Sequence, residues 1–274
     1  MGTPQDPLVV MLSPSHSPAG PGDPLHSIQE YLRYRTGMAV EVRTASSPMD
    51  AIEQLGARKA DAGILSLDEY LLAREEYGVR AALQALRRDS SSEFEGCILV
   101  RADGPVQDVR GLSGRRFAFV DPLSVSGFIL PAGFLRKEDV EVEPLFAGSH
   151  AAALMAVVDG TVSAAATFAE AASRAPGLKI LAKTGTMPNE PLAFREGLKA
   201  DKREAITAAF LSLGETPEGR AALASIADIT GFRRAPLDAY RPAHDLLRSA
   251  DKSVYDLIPE GWDIRKLNRP YLPD

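Results

Sequence analysis

The residues best suited to chemistry lie in one run, Asp121-Pro122-Leu123-Ser124-Val125-Ser126-Gly127. The apolar segment from Arg116 to Val120 before it reads as a strand that stops at Asp-Pro. Phe128 and Leu135 after it recur at helical spacing. The run is therefore a strand, a hydroxyl-rich turn and a helix N-terminus. Such a turn aims free backbone N–H groups and the positive end of a helix dipole at one point. Ser124 and Ser126 add two hydroxyl donors. The chemistry this suits is recognition of an anion or an oxygen-rich small solute. A serine-rich cap that simply opens a helix is the plainer reading.

A second corner of the same kind follows at Phe146-Ala147-Gly148-Ser149-His150. Ser149 is placed as an N-cap and His150 as the first residue of an alanine-rich helix, where an imidazole can donate to an oxyanion. A capping-turn histidine with no ligand is the alternative. His16, His26 and His244 are scattered without metal-ligand spacing, so neither a metal site nor a cofactor is expected. The motifs Gly-x-Ser-x-Gly, Gly-x-Gly-x-x-Gly and His-Glu-x-x-His are absent, as is a Walker loop. Ser124 or Ser126 with His150 and an acid would make a triad, but serine–histidine pairs arise by chance in most chains, and no catalytic residue is assigned. Glu75-Glu76 and Asp201-Lys202-Arg203-Glu204 read as solvated helix faces. Trp262 and Tyr271 read as tail anchors, and Cys97 as a buried strand residue.

The chain has 274 residues, 45% of them hydrophobic and 25% charged, enough for one large or two medium globular domains. A net charge of −6 with no basic stripe argues against a nucleic-acid partner. A single cysteine excludes an internal disulfide and a cysteine-based zinc site. No run of about 18 apolar residues occurs, so no spanning helix is expected. The N-terminus lacks the basic and apolar regions of a signal peptide. Two readings survive: a cytosolic protein, or an exported one whose signal lies outside this sequence. The Pro/Gly-rich leader favours the second.

The elements that would position these corners alternate regularly. Pro7 to Leu12, Val40 to Arg43 and Asp61 to Leu65 read as strands. Between them lie a helix capped by Asp23-Pro24, with Leu25, Ile28 and Leu32 on one face and Gly37 at its end, and a helix capped by Ser47-Pro48. Leu67 to Tyr77 is the next helix. This pattern predicts a parallel, buried sheet. Cys97 to Arg101 is a further strand. A second α/β series follows, with strands near 116–120, 143–146, 162–167 and 178–183 and helices near 127–137, 150–159 and 168–174. From Ala200 the chain reads as helical over 201–213, 217–227 and 236–249. The tail from Ile258 to Asp274, with Pro259, Pro270 and Pro273, reads as an extended wrap.

Taken together, several segments resemble the phosphate/phosphite/phosphonate-binding proteins of ABC transporters. They are Asp61-Ala62-Gly63-Ile64-Leu65 with Tyr70-Leu71-Leu72-Ala73 and Tyr77-Gly78-Val79; Ile98 to Asp103; Gly114 to Pro122; Ser124 to Gly127 with Pro131; Ala147 to His150; Pro188-Asn189-Glu190 before Arg195; and Thr216 to Arg220. The resemblance runs from about Pro7 to Arg241. It implies an α/β chain with the type 2 periplasmic-binding-protein fold, in which two lobes of mostly parallel sheet flanked by helices are joined by a two-segment hinge. Lobe one would take 7–100 plus 191–274 and lobe two 101–190, with crossings near 98–104 and 187–194.

By this resemblance Ser124, Val125, Ser126 and Gly127 present hydroxyls and amides to a ligand's oxyanion between the lobes, and Ser149 and His150 add donors. Where the family has tyrosines before the second helix and before the lobe-crossing strand, this chain has Pro48 and Phe94. The middle threonine of Ser-Thr-Ser is Val125, and the aspartate of Val-Asp-Ala-Gly-Ala is Ser163. Each lost hydrogen bond weakens a site for a many-oxygen anion by about 1 kcal/mol or more. Either the ligand offers fewer acceptors, or Ser13, Ser15 or Thr167 substitutes. Glu190 is an acid that can face a ligand amine, and Glu170 lies where the family often has acids. The implied protein is a monomeric, extracytoplasmic solute-binding component of an ABC importer, either periplasmic or membrane-anchored. It would take a phosphonate, phosphite, phosphate or related oxyanion and deliver it to a permease. A sensor subunit presenting its closed form to a receptor kinase is the alternative, followed by an enzyme on the same fold.

Overall fold

A computed structural model describes residues 2–16, 24–87, 90–122, 124–172, 175–224, 226, 229–249 and 252–267. The chain opens with β1 (Leu8–Leu12), α1 (Pro24–Thr36), β2 (Val40–Thr44), α2 (Pro48–Gly56), β3 (Ala62–Ile64), α3 (Leu67–Tyr77), β4 (Arg80–Leu86) and β5 (Glu93–Arg101). The middle holds β6 (Arg116–Phe119), α4 (Leu130–Lys137), β7 (Glu143–Phe146), α5 (His150–Val158), β8 (Ala164–Phe168), α6 (Ala169–Ala172) and β9 (Leu178–Pro188). Then come β10 (Pro191–Phe194), α7 (Ala200–Leu213), α8 (Pro217–Ala224), β11 (Gly231–Arg234), α9 (Arg241–Ser249) and α10 (Gly261–Leu267). Asp23, Leu123, Pro270, Tyr271 and Pro273, named above, lie outside the described residues.

The chain divides into two units. The first comprises 1–92, 188–239 and 254–274, and the second 93–187 and 240–253. The crossings fall at Ser92/Glu93, earlier in the chain than the expected 98–104, and at Met187/Pro188, within the expected 187–194. β5 pairs with β8 from Gly96↔Phe168 to Val100↔Ala164, which carries the whole strand, and Phe94 with it, into the second unit. Residues 240–253 also join the second unit rather than the first, where Leu246 of α9 lies beside Leu130, Phe134 and Thr184.

In the first unit the sheet order is β11-β4-β10-β3-β1-β2. β2, β1 and β3 are parallel, with Leu8 opposite Val40 and Val10 opposite Ala62. β10 runs antiparallel to both β3 and β4. Leu8, Val10 and Leu12 are buried in one core with Ile28 and Leu32 of α1 and Phe210 of α7. A parallel strand covered on both faces reads as a continuous apolar run, and Leu8–Leu12 does so. Local signals set the helix ends. The Ser47 hydroxyl accepts from Asp50 N–H at α2, Ser66 and Glu69 form a capping box at α3, and Gly37 after α1 takes φ 65°.

Three expectations change here. β4 and β11 were not legible as strands. Arg80-Ala-Ala-Leu-Gln-Ala-Leu is built of helix formers, yet it pairs along its length with β10 and β11, and tertiary pairing overrides propensity. Glu76 is 1% exposed rather than solvated, because residues 254–257 cover it and the Tyr255 hydroxyl donates to its carboxylate. The tail is not an extended wrap over its described part: Val254–Leu257 forms a 3-10 turn and Gly261–Leu267 a helix. Trp262 does anchor it, donating through Nε1 to Asp256 at 2.8 Å and lying 5.0 Å from the Tyr255 ring.

In the second unit the sheet order is β7-β6-β8-β5-β9. β6 lies parallel to β7 and to β8. Its side chains alternate between two cores. Phe117 and Phe119 pack with Ile98, Val100 and Leu135, whereas Ala118 and Val120 pack with Ala153, Val157 and Ala165. The small residues on the second face let α5 sit close to the sheet. Cys97 is fully buried in β5, and burial first, then the charges of Glu95 and Glu170, push its thiol up to about 12.

Candidate functional site

Three parallel neighbours, β7, β6 and β8, end at one edge of the second unit's sheet. Ligands of open α/β sheets collect at carboxyl ends of strands. The turns after β6 and β7 are joined there, since Gly148 N–H donates to the Val120 carbonyl at 2.8 Å and Ala147 N–H to that of Phe119 at 2.9 Å. The two sequence-predicted corners, 124–127 and 149–150, thus meet, although 21 residues separate Gly127 from Ser149.

The first corner is tightly made. Asp121 Oδ1 accepts from Ser124 N–H at 2.9 Å, which closes the turn. Ser124 Oγ accepts from Gly127 N–H at 3.0 Å, so the hydroxyl caps the helix and keeps its own proton for a further acceptor. Val125–Ile129 is a single π-helical turn, with the amides of Phe128 and Ile129 both on the Ser124 carbonyl. Val125 and Ser126 occupy the first turn, where amides lack intrahelical acceptors. Gly127 is required by space. A Cβ there would lie 2.4 Å from Val120 Cγ2 and 2.7 Å from Ser124 Oγ.

In the second corner Ser149 Oγ accepts from Ala152 N–H at 3.1 Å, again leaving a hydroxyl proton. The His150 ring is half-buried, with Nδ1 3.1 Å from Thr167 Oγ1 and its edge against Phe168. Burial holds its pKa below the usual imidazole range, and the Asp121 carboxylate pulls the other way. The ring is therefore neutral at neutral pH. Thr167, fully buried, bonds to His150 rather than standing as a separate donor. Phe94 is half-buried in β5. Asp121 opens the run that the sequence points to, but its side chain carries no assigned role there. Its Asp-Pro-x-Ser spacing is the signal, an Asx-type turn in which the carboxylate accepts an amide a few residues on.

Ser13 and Glu190 belong to the first unit. Ser13 is fully buried, and its hydroxyl donates to Glu69 at 2.8 Å. That commits the donor assigned above to a solute. Glu69 is buried too, and its carboxyl is pushed up to about 7. Burial is the main cause, then Asp68, opposed by the bonds from Ser13 and Ser66 N–H and by His16. The Ser66-x-x-Glu69 capping box was the available sequence signal. Glu190 pairs with Arg87, and His16 Nε2 lies 3.6 Å from the same oxygen. Burial opposes ionisation, yet His16 and Arg87 outweigh it and hold the carboxyl at about 2. Oε1 is thus matched within its own unit, whereas Oε2 is buried without a hydrogen-bond partner. Among the described residues no group of three or more His, Cys, Asp or Glu could hold a metal ion.

The family described as "ABC transporter, phosphonate, periplasmic substrate-binding protein" matches residues 12–240. The chain belongs to this family. A phosphate-import protein PhnD of Mycolicibacterium smegmatis is 28% identical over 151 residues, 50% of this chain and 47% of that one. The chain spans about half the length of the curated relatives it matches. Among solved structures, XAC2383 of Xanthomonas citri bound to chloride has a TM-score of 0.71 at 19% identity, covering 89% of this chain and 97% of that one. PhnD1 of Prochlorococcus marinus in complex with methylphosphonate has a TM-score of 0.67 at 18% identity, covering 90% and 98%. These structures share the fold, a two-lobed α/β architecture in which each sheet is flanked by helices. Among the described residues no helix is long and apolar enough to cross a membrane.

Proposed function

We propose that this chain is the extracytoplasmic solute-binding component of an ABC importer. The second unit's corner would hold the oxyanion head of a phosphonate or related solute. The observation that carries this is the junction of two helix N-termini through the Gly148–Val120 bond, with the Ser124, Ser126 and Ser149 hydroxyls and the His150 imidazole around it. Every group of this constellation is a hydrogen-bond donor, and the Asp121 carboxylate is already engaged by Ser124 N–H. Such a surface suits the binding of an anion, and the family description favours a carrier over an enzyme. The family description, the import protein among its relatives and the methylphosphonate complex of PhnD1 support the ligand class and a membrane permease as partner. No observation favours the kinase-sensor reading. The monomeric state and the periplasmic or membrane-anchored location are part of the same proposal.

The test is native mass spectrometry of the purified protein, followed by calorimetry with methylphosphonate and phosphate. Saturable binding that Ser126→Ala weakens about tenfold, the 1.4 kcal/mol of one ligand hydrogen bond, supports the reading. Turnover of a bound phosphonate, or equal binding by the variant, overturns it.

A further inference from the structure

Thr167 stands among the candidate ligand contacts, yet its side chain is fully buried and bonded to another candidate. We propose that Thr167 is a positioning residue: its hydroxyl donates to His150 Nδ1, holds the imidazole in the Nε2–H tautomer, and makes Nε2–H the ring's donor to an acceptor oxygen of the bound solute. This rests on the binding reading above only in its last step.

The number of available protons fixes the direction of this bond. A threonine hydroxyl has one proton to donate, and a neutral imidazole has one N–H and one bare nitrogen. The Thr167 side chain is 0% exposed, and among the described residues the hydroxyl's hydrogen bond is the one to Nδ1 at 3.1 Å. If Nδ1 carried the proton, it would donate to Oγ1, and the hydroxyl proton would be left buried with no acceptor. An unmade donor in a protein interior is costly, so the bond runs from hydroxyl to Nδ1. A neutral ring then carries its proton on Nε2. The neutral state itself follows from burial of the ring, which outweighs the nearby Asp121 carboxylate.

The framework supports a fixed geometry. Thr167 lies in β8, between β6 and β5, and pairs with Cys97 in the sheet interior. The next residue, Phe168, meets the His150 ring edge-on at 4.9 Å and 82°. Two adjacent residues of one buried strand thus set both the tilt of the ring and its tautomer. The donor role of a ring nitrogen is set by what the other nitrogen does. No spacing rule links positions 150 and 167; the packing of α5 against β8 brings them together.

Nitrogen-15 correlation spectra of the full chain without ligand read the tautomer directly. The expected result is a His150 ring protonated at Nε2 and bare at Nδ1. The isosteric Thr167→Val should give a mixture of the two tautomers and bind methylphosphonate about tenfold more weakly, one hydrogen bond's worth. Thr167→Ser should restore both readouts to within about twofold. An Nδ1–H ring in the unaltered protein overturns the proposal, as does Thr167→Val that keeps both tautomer and affinity. Should Thr167→Val not fold, the unaltered protein and Thr167→Ser decide. An Nε2–H ring in a protein that binds no methylphosphonate upholds the tautomer assignment and overturns only the ligand reading.

Discussion

Asp61 and Arg195 form a buried ion pair, the guanidinium Nε donating to Oδ1 at 2.8 Å across 134 positions of sequence. The other carboxylate oxygen accepts from Val9 N–H at 3.0 Å. One side chain therefore ties β3 to the start of β1 and to the end of β10, in the part of the first unit formed after the second crossing. Removing one partner of a buried pair strands the other's charge. Arg195→Leu should lower unfolding free energy by about 3–5 kcal/mol in urea titration. Replacing Asp61 as well should recover only part of this, because Val9 N–H would lose its acceptor.

Gly127 marks the closest approach in the anion corner. Gly127→Ala forces a methyl against Val120, the residue just after β6, and against the Ser124 hydroxyl. Overpacking of this kind costs about 1–3 kcal/mol. The expected outcome is a lower thermal midpoint, with methylphosphonate binding lost before the fold is.

The two serines should separate cap from contact. Ser124→Ala removes both a ligand donor and the cap on Gly127 N–H. It should weaken binding about tenfold and lower stability by about 0.5–2 kcal/mol. Ser126 has no capping role, so Ser126→Ala should show the binding loss with stability nearly unchanged. Calorimetry and urea unfolding on the same samples make the comparison. A stability loss at 126 matching that at 124 would contradict it.

Ligand preference should follow the missing hydroxyls. In the second unit, Phe94 and Val125 offer no O–H and tolerate an apolar substituent. Methylphosphonate should therefore bind more tightly than inorganic phosphate at equal ionic strength. An aminoalkylphosphonate should gain nothing over its alkyl counterpart, since Glu190 is paired with Arg87. Submicromolar phosphate binding with no preference among the three would show that the substitutions were misread.

Two buried carboxyls should shape stability in opposite directions. Glu69 has a folded pKa of about 7, above its ordinary 4.5. The folded state holds that proton more tightly, so this contribution is complete below about pH 4.5 and is lost as pH rises through about 7. Glu190 has a folded value of about 2, below its ordinary 4.5. Its contribution is complete above about 4.5 and lost as pH falls toward 2. Urea midpoints between pH 4.5 and 7.5 should fall less steeply with pH in Glu69→Gln than in the unaltered chain. An unchanged slope would mean that Glu69 ionises normally.

Much of this protein was legible residue by residue because the signals are local. Ser47-Pro48, Ser149 and Gly37 mark helix ends through bonds within a few residues, and Leu8–Leu12 reads as a buried strand because both its faces are covered. The two corners at 124–127 and 149–150 were likewise recognisable, since a strand followed by a serine cap is a contiguous pattern. What the tertiary structure alone decided is every relation set by sheet order. β4 carried no strand signal because alanine, leucine and glutamine favour helices in isolation, and pairing with β10 and β11 made it a strand. Glu75 and Glu76 are neighbours of the same type, yet Glu76 is buried against Tyr255, which lies 179 positions away. Ser13 and Glu190 kept their places at strand ends but found partners in Glu69, Arg87 and His16. Hydrogen bonds across a sheet depend on which strands lie side by side, and that order arises from packing the whole chain, not from any window along it.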